Sequence, residues 1–437
     1  MTLEATVFVV VGLLLIIMAA STRLMTRLPL TGAMVYLAVG IVMGPACAHL
    51  FAPNLDQQLK MLRGVTETGL MISLFAIGMY LRVPLNQPLW RLPLRLAGPA
   101  MLITIALMFV TARWGVGLEA GPALMLAAAL APTDPVLANE LRVLEAGDDE
   151  PLRFTLSAEG GLNDGAAYPF AIAALWLCGA PTFGSTHAWT FALAVAWGIV
   201  GALLIGWLLG TGTVMIATHL RTRHEEALGL EGFFALGLMA LSYGAALLVH
   251  TYAFIAVFAA GVAVRRQEFK VTGTQVPNDA LKSVQRGATD EAAKDPDLAH
   301  AYMAESMMAF SVEIERLVEL ALMLIIGSVI SLYWRELLHW SVIWPVLVLL
   351  FIARPAGVLI SLLGSGLNLH QRLLSGWLGI RGVGAFYYLL YGLEQVKAPL
   401  LTPIIPIVLA TIVLSVVLHG ASATALLHRY FGAGERG

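Results

Sequence analysis

The chain has 437 residues, 59% of them hydrophobic and only 12% charged, with a formal net charge of −2. That composition excludes a soluble domain; the net charge says nothing about nucleic acid, and no basic cluster suggests it as a partner. What remains is an all-α polytopic membrane protein.

Apolar runs of spanning length recur with short breaks. They predict thirteen helices, at 3–20, 30–50, 64–81, 94–114, 121–139, 154–177, 188–218, 229–249, 251–266, 311–333, 338–363, 374–393 and 399–428. The first carries Glu4 and has no basic n-region, so it reads as a retained helix and not a cleaved signal. With the N-terminus outside, eighteen Lys and Arg fall on the cytoplasmic side. Only Lys60, Arg63, Arg113, Arg335 and Lys397 fall on the outer side. This bias sets an odd helix count with the C-terminus in the cytoplasm, in a multi-pass cell (inner or plasma) membrane protein. Residues 1–266 hold the first nine helices, the polar stretch 267–306 is a cytoplasmic linker, and 307–437 holds the last four helices and a short stub. Cys47 and Cys178 lack metal-ligand spacing and read as packing residues.

Within helix 5, Ala131-Pro132-Thr133-Asp134-Pro135 places two prolines three apart. Each removes a backbone donor and clashes with the preceding turn, so the helix should unwind there. Free backbone groups at membrane depth are tolerated only where they line a cavity or are buried in protein. Helix 6 carries Glu159, Asn163 and Asp164 in an apolar setting. An ionised carboxylate in hydrocarbon costs at least ~2.5–3.5 kcal/mol, and intramembrane acids mark ion or proton sites by default. Glu159 and Asn163 are spaced i, i+4 and share a face, while Asp164 projects about 100° away. The two acids of this one helix can thus have different partners.

Two arginines follow in the last third: Arg354 in Ala353-Arg354-Pro355 of helix 11, and Arg381 in Gly379-Ile-Arg381-Gly382 of helix 12. Guanidinium stays protonated when buried, so each needs an anionic neighbour or a helix C-terminus. The glycines around Arg381 mark a second breakable helix. Broken helices at 5 and 12 match an inverted-repeat transporter, in which half-helix ends point at a site near the midplane. Asp134 and Arg381 would then compensate the opposite partial charges of the crossed half-helices.

Thr133-Asp134-Pro135, Glu159-Gly-Gly-Leu-Asn163-Asp164, Ala353-Arg354-Pro355 and Gly379-Ile-Arg381-Gly382 occur in the order seen in sodium/proton exchangers. The chain resembles the Asn-Asp branch of the monovalent cation:proton antiporters, which includes bacterial NhaP-type proteins and animal sodium/proton exchangers. The resemblance spans helices 2 to 12 and implies the NhaA/NhaP-like fold of crossed broken helices. It implies that Asp164 binds cation and proton alternately, with Asn163 as its partner and Thr133 and Asp134 beside the ion. Glu159 and Arg354 match a buried ion pair between helices 6 and 11. Glu319 matches a helix-10 acid, and Arg381 the arginine of the broken helix 12. A homodimer and no cofactor are further expectations from the resemblance.

There are departures. Gly160 stands where the family's segment carries a serine whose hydroxyl can ligate the ion, and Met79-Tyr80 stand where many members have a helix-3 Glu. Glu67, the one acid of helix 3, is expected at the outer interface. The methionines of helices 3 and 10 read as packing residues, and His250 as a helix-end cap. Glu313, Glu315 and Arg316 are expected at the interfacial start of helix 10.

The function implied is antiport of a monovalent cation, sodium first and potassium as the alternative, against protons. Asn instead of Asp at 163 leaves one net carboxylate charge, which suggests electroneutral exchange. An intramembrane aspartyl hydrolase lacks a Gly-x-Gly-Asp motif, and Arg354 near the site would oppose a shared proton. The absence of His-Glu-x-x-His excludes a zincin. The expected protein is therefore no enzyme, and counterflow would separate it from a passive channel.

Overall fold

A computed structural model describes residues 3–25, 30–134, 150–180, 188–224, 230–273, 298–396 and 399–434. Pro135, Arg142 and the middle of the predicted linker lie outside the described residues. The described chain is helical throughout and runs as α1 (Leu3–Met25), α2 (Gly32–Met43), α3 (Leu55–Tyr80), α4 (Pro88–Val116), α5 (Ala120–Leu130), α6 (Pro151–Leu177) and α7 (Ala188–His224). It continues as α8 (Glu231–Leu248), α9 (Ala253–Thr272), α10 (Ala299–Leu332), α11 (Trp340–Ser361), α12 in two pieces (Leu369–Trp377 and Val383–Gln395) and α13 (Ile405–Gly434).

Among the described residues, six helices are long and apolar enough to cross a membrane by length and composition. Helices α6, α9 and α10 fall outside that set. They carry the buried charges Glu159, Asp164, Arg265, Glu268 and Glu305, each at most 6% exposed.

Several boundaries differ from expectation, each for a local reason. Helix α2 stops at Met43, where Gly44 turns extended, instead of continuing to 50. Helix α3 begins at Leu55 and not at 64. Asn54 caps it by accepting from the Gln57 amide at 3.1 Å, while its own amide donates to Gln58 Oε1 at 3.2 Å. The added turns place Glu67 near the middle of the helix, where it is half-buried. Helix α6 starts at Pro151, with Glu150 accepting from the Arg153 amide at 2.9 Å.

Both ends of the predicted linker are helical, because α9 continues to Thr272 and α10 begins at Ala299. Among the described residues, Glu268 and Glu305 of this stretch are buried in pairs with arginines outside it. Arg82 donates to both oxygens of Glu268 at 3.0 Å, and Arg265 reaches Glu305 at 2.6 Å. Hydropathy counts such residues as solvent-seeking, whereas paired charges can be enclosed. Glu315 is likewise 3% exposed, four turns into α10 and not at its start.

The bundle packs through small residues. A Cβ at Gly40 would lie 2.5 Å from the Leu324 carbonyl, and one at Gly78 2.5 Å from the Phe258 carbonyl, so α2 meets α10 and α3 meets α9 at backbone distance. The two halves echo each other. Helices α4 and α11 each contain a π turn beside a proline, at Leu96–Ala100 with Pro99 and at Leu349–Ala353 before Pro355. In each half the next helix is then broken, α5 after Leu130 and α12 between Trp377 and Val383. This is the inverted-repeat arrangement, with α5, α6 and the second piece of α12 at the buried centre.

Candidate functional site

The two breaks cross. The Asp134 amide donates to the Ile380 carbonyl at 2.8 Å, so the unwound strand of α5 pairs directly with that of α12. Each break exposes uncompensated helix ends, and each end meets an opposite charge. The Asp134 carboxylate accepts from the Val383 amide at 3.3 Å, at the N-terminus of the second α12 piece. The Arg381 guanidinium donates to the Ala131 and Pro132 carbonyls, at the C-terminal end of α5. Arg381 is fully buried, and its Nε and Nη2 have no protein partner among the described residues.

Helix α6 presents its polar residues to this crossing. Asn163 Nδ2 donates to Thr133 Oγ1 at 2.8 Å, which leaves the buried Asn163 Oδ1 as an acceptor without a partner among the described residues. Asp164 is 6% exposed and points at α12, where a Cβ on Gly384 would lie 2.7 Å from its Oδ1. Gly384 is thus the residue that makes room for this carboxylate. The Tyr388 hydroxyl donates to the Asp164 backbone carbonyl, which fixes the helix one turn beyond Gly384.

Glu159 does not point at the same place. It forms a two-pronged pair with Arg354, at 2.5 and 2.8 Å, in which both side chains are at most 3% exposed. Arg354 also donates to the Ser375 carbonyl at 3.2 Å, so α6, α11 and the first piece of α12 are tied at one point. Glu319 lines a small cavity of about 20 Å³ together with Asp134, Glu315, Ser73 and Val383.

The structure therefore brings Thr133, Asp134, Asn163, Asp164 and Arg381 to one crossing, sets Glu159 and Arg354 apart as a pair, and places Glu319 beside Asp134. Sequence reasoning missed Tyr388, Ser73 and the support behind the α12 break. There the Arg381 amide donates to Ser415 Oγ at 2.8 Å, and His419 Nδ1 lies 2.9 Å from the same hydroxyl. A serine and a histidine one turn apart on an apolar helix gave no signal of that role. Gly384 was visible only as one of several glycines.

The sequence profile of the sodium/hydrogen exchanger transmembrane family matches residues 12–429. The chain belongs to that family. Its members are secondary transporters and not enzymes. Two solved structures of the sodium proton antiporter MjNhaP1 from Methanocaldococcus jannaschii share the exchanger fold at a TM-score of 0.69 and 20% identity. One covers 96% of this chain and the other 99%, each with 99% of its own chain matched. A Na(+)/H(+) antiporter of Saccharomyces cerevisiae is 29% identical over 143 residues, which is 30% of this chain and 14% of that relative's length.

Proposed function

We propose that this exchanger-family protein is a secondary active antiporter of a monovalent cation, sodium, against protons, and that Asp164 is the group for which the two compete. The observation that carries the reading is the placement of Asp164. It is a buried carboxylate beside an orphaned amide oxygen, at the crossing of two unwound helices. Hard oxygens suit a dehydrated alkali cation. The Asp164 carboxylate, the Asn163 Oδ1 and the Thr133 oxygens supply them, with Asp134 close by. A proton neutralises the same carboxylate.

Coupling follows from the cost of moving an uncompensated charge through a low-dielectric interior. Asp164 crosses with a cation or a proton, and crosses poorly with neither. Asn163 adds no charge, so one cation exchanges for one proton and the cycle is electroneutral. Asp134 and Arg381 hold the crossed half-helices, and Glu159 with Arg354 fastens α6 to its surroundings. Glu319 sits at the edge of the site. Two membrane portions, the first ending with α9 at Thr272 and the second starting with α10 at Ala299, are joined by the segment between them. The N-terminus lies outside, the C-terminus in the cytoplasm, and the chain works in the cell membrane as a homodimer.

The test is exchange by the purified full chain in proteoliposomes with an internal pH dye, adding sodium, potassium and lithium in turn. Sodium-driven proton counterflow is expected. Dominant potassium-driven counterflow would assign the alternative cation, for which the oxygen missing at Gly160 gives room. Downhill flux without counterflow would make the protein a channel.

A further inference from the structure

A second cavity, with charged and phenolic side chains in its wall, lies along α6 from Asp164, and neither the crossing nor the ion pairs described above account for it. Its volume is about 310 Å³, and its walls include Arg63, Glu67, Tyr168, Tyr243, Tyr387 and Tyr391. Gly165, the residue next to Asp164, forms part of its lining. Aromatic rings pack edge-on in its wall. Phe254 meets Tyr387 edge-on at 5.1 Å, and Tyr387 meets Tyr388 at 5.3 Å. The orientation proposed above puts it on the outer side.

Among the described residues, the charges at this cavity are unequal. Arg63 reaches Glu67 at 3.1 Å and also pairs with Glu394 of α12, so one guanidinium serves two carboxylates. Around them stand hydroxyls. Tyr243 donates to Glu67, and the hydroxyls of Tyr168 and Tyr391 lie 3.2 Å apart. A stabilising ion pair needs no such oxygen-rich chamber, and partly exposed pairs of this kind add little stability. Carboxylate and phenol oxygens around a net negative charge are instead the donor set of a hard monovalent cation.

We propose that this chamber is a one-sided loading site for the transported cation. Glu67 and the tyrosine hydroxyls act as its ligands, and Arg63 is a tethered counter-ion that the incoming cation displaces. The inference rests on the exchange reading and extends it to the outer approach. With the cation on Glu67, Arg63 stays with Glu394 and the chamber becomes charge-balanced.

The experiment uses right-side-out and everted membrane vesicles carrying the full chain, with sodium chloride as the probe on each face. Glu67→Gln is expected to raise the outer-face KM by about fivefold or more, the scale of one charge-assisted contact, with the cytoplasmic-face KM within about twofold of wild type. Arg63→Gln is expected to move the outer-face KM the other way, because the internal competitor is gone. Tyr243→Phe keeps the ring and removes one ligand oxygen, so it carries the same one-sided expectation as Glu67→Gln should that variant fold poorly. Equal shifts at both faces, a shift confined to the cytoplasmic face, or no shift overturns the chamber while leaving the exchange reading intact. Wild-type vesicles without exchange in either orientation would remove the exchange reading itself, and the chamber with it.

Discussion

Asp164 and Glu159 are acids five positions apart on one buried helix, yet their surroundings give them different work. Glu159 is saturated by the two-pronged contact from Arg354. Asp164 faces Gly384, next to the Asn163 that bonds Thr133. Asp164→Asn should therefore abolish exchange while the protein still inserts and melts normally, as measured by proton flux and thermal unfolding of the purified variant. Sodium-driven flux at the wild-type rate from that variant would refute the assignment. Glu159→Ala leaves the Arg354 guanidinium buried and unpaired. Breaking such a pair typically costs ~3–5 kcal/mol. The expected result is a lower melting temperature and a poor yield. A variant that melts like wild type but has lost transport would make Glu159 an ion-handling residue.

At the scale of elements, the crossing of α5 and α12 is held by few contacts, and each satisfies a helix end. Arg381 covers the Ala131 and Pro132 carbonyls, Asp134 covers the Val383 amide, and the Ile380 carbonyl takes the Asp134 amide. Ser415 and His419 brace the Arg381 backbone from α13. Arg381→Gln removes the charge and the reach together. Each buried carbonyl left without a donor costs about 1–3 kcal/mol. The variant should lose thermal stability and exchange in parallel, read by melting in detergent and by proteoliposome flux. Full stability with full flux would show that the crossing stands without its guanidinium.

For the whole molecule, the charge carried per cycle and the orientation are the properties to measure. Asn163→Asp adds a carboxylate beside Asp164, and like-charge repulsion favours retention of a second proton on the pair. Wild-type exchange should be independent of an imposed potassium–valinomycin potential, and Asn163→Asp exchange should depend on it. A strong response of the wild type to potential would overturn the electroneutral reading. Orientation has a convenient reporter in Cys47, which is exposed in the turn after α2. With the N-terminus outside, a membrane-impermeant maleimide should label Cys47 in intact cells. Labelling only after the membrane is opened would reverse the topology.

The sequence by itself determined the class of the molecule and most of the polar centre. Hydrocarbon tolerates few charges, so each acid or arginine in an apolar run stood out, and two prolines or a glycine cluster marked where a helix must break. The family resemblance added the partnership of Glu159 with Arg354. Where charges neutralise one another, the signal inverted. The end of α9 and the start of α10 looked like a linker because Glu268 and Glu305 are hydrophilic one by one and are enclosed only by Arg82 and Arg265. Glu67 stood out as an acid of an apolar helix, and only the folded bundle sets it between Arg63 and Tyr243. Tertiary structure alone decided that Gly384 makes room for the Asp164 carboxylate and that Tyr388 secures its backbone. The physical reason is the same in each case. Local pattern reports what a residue prefers in isolation, whereas burial of a polar group is settled by partners distant in the chain.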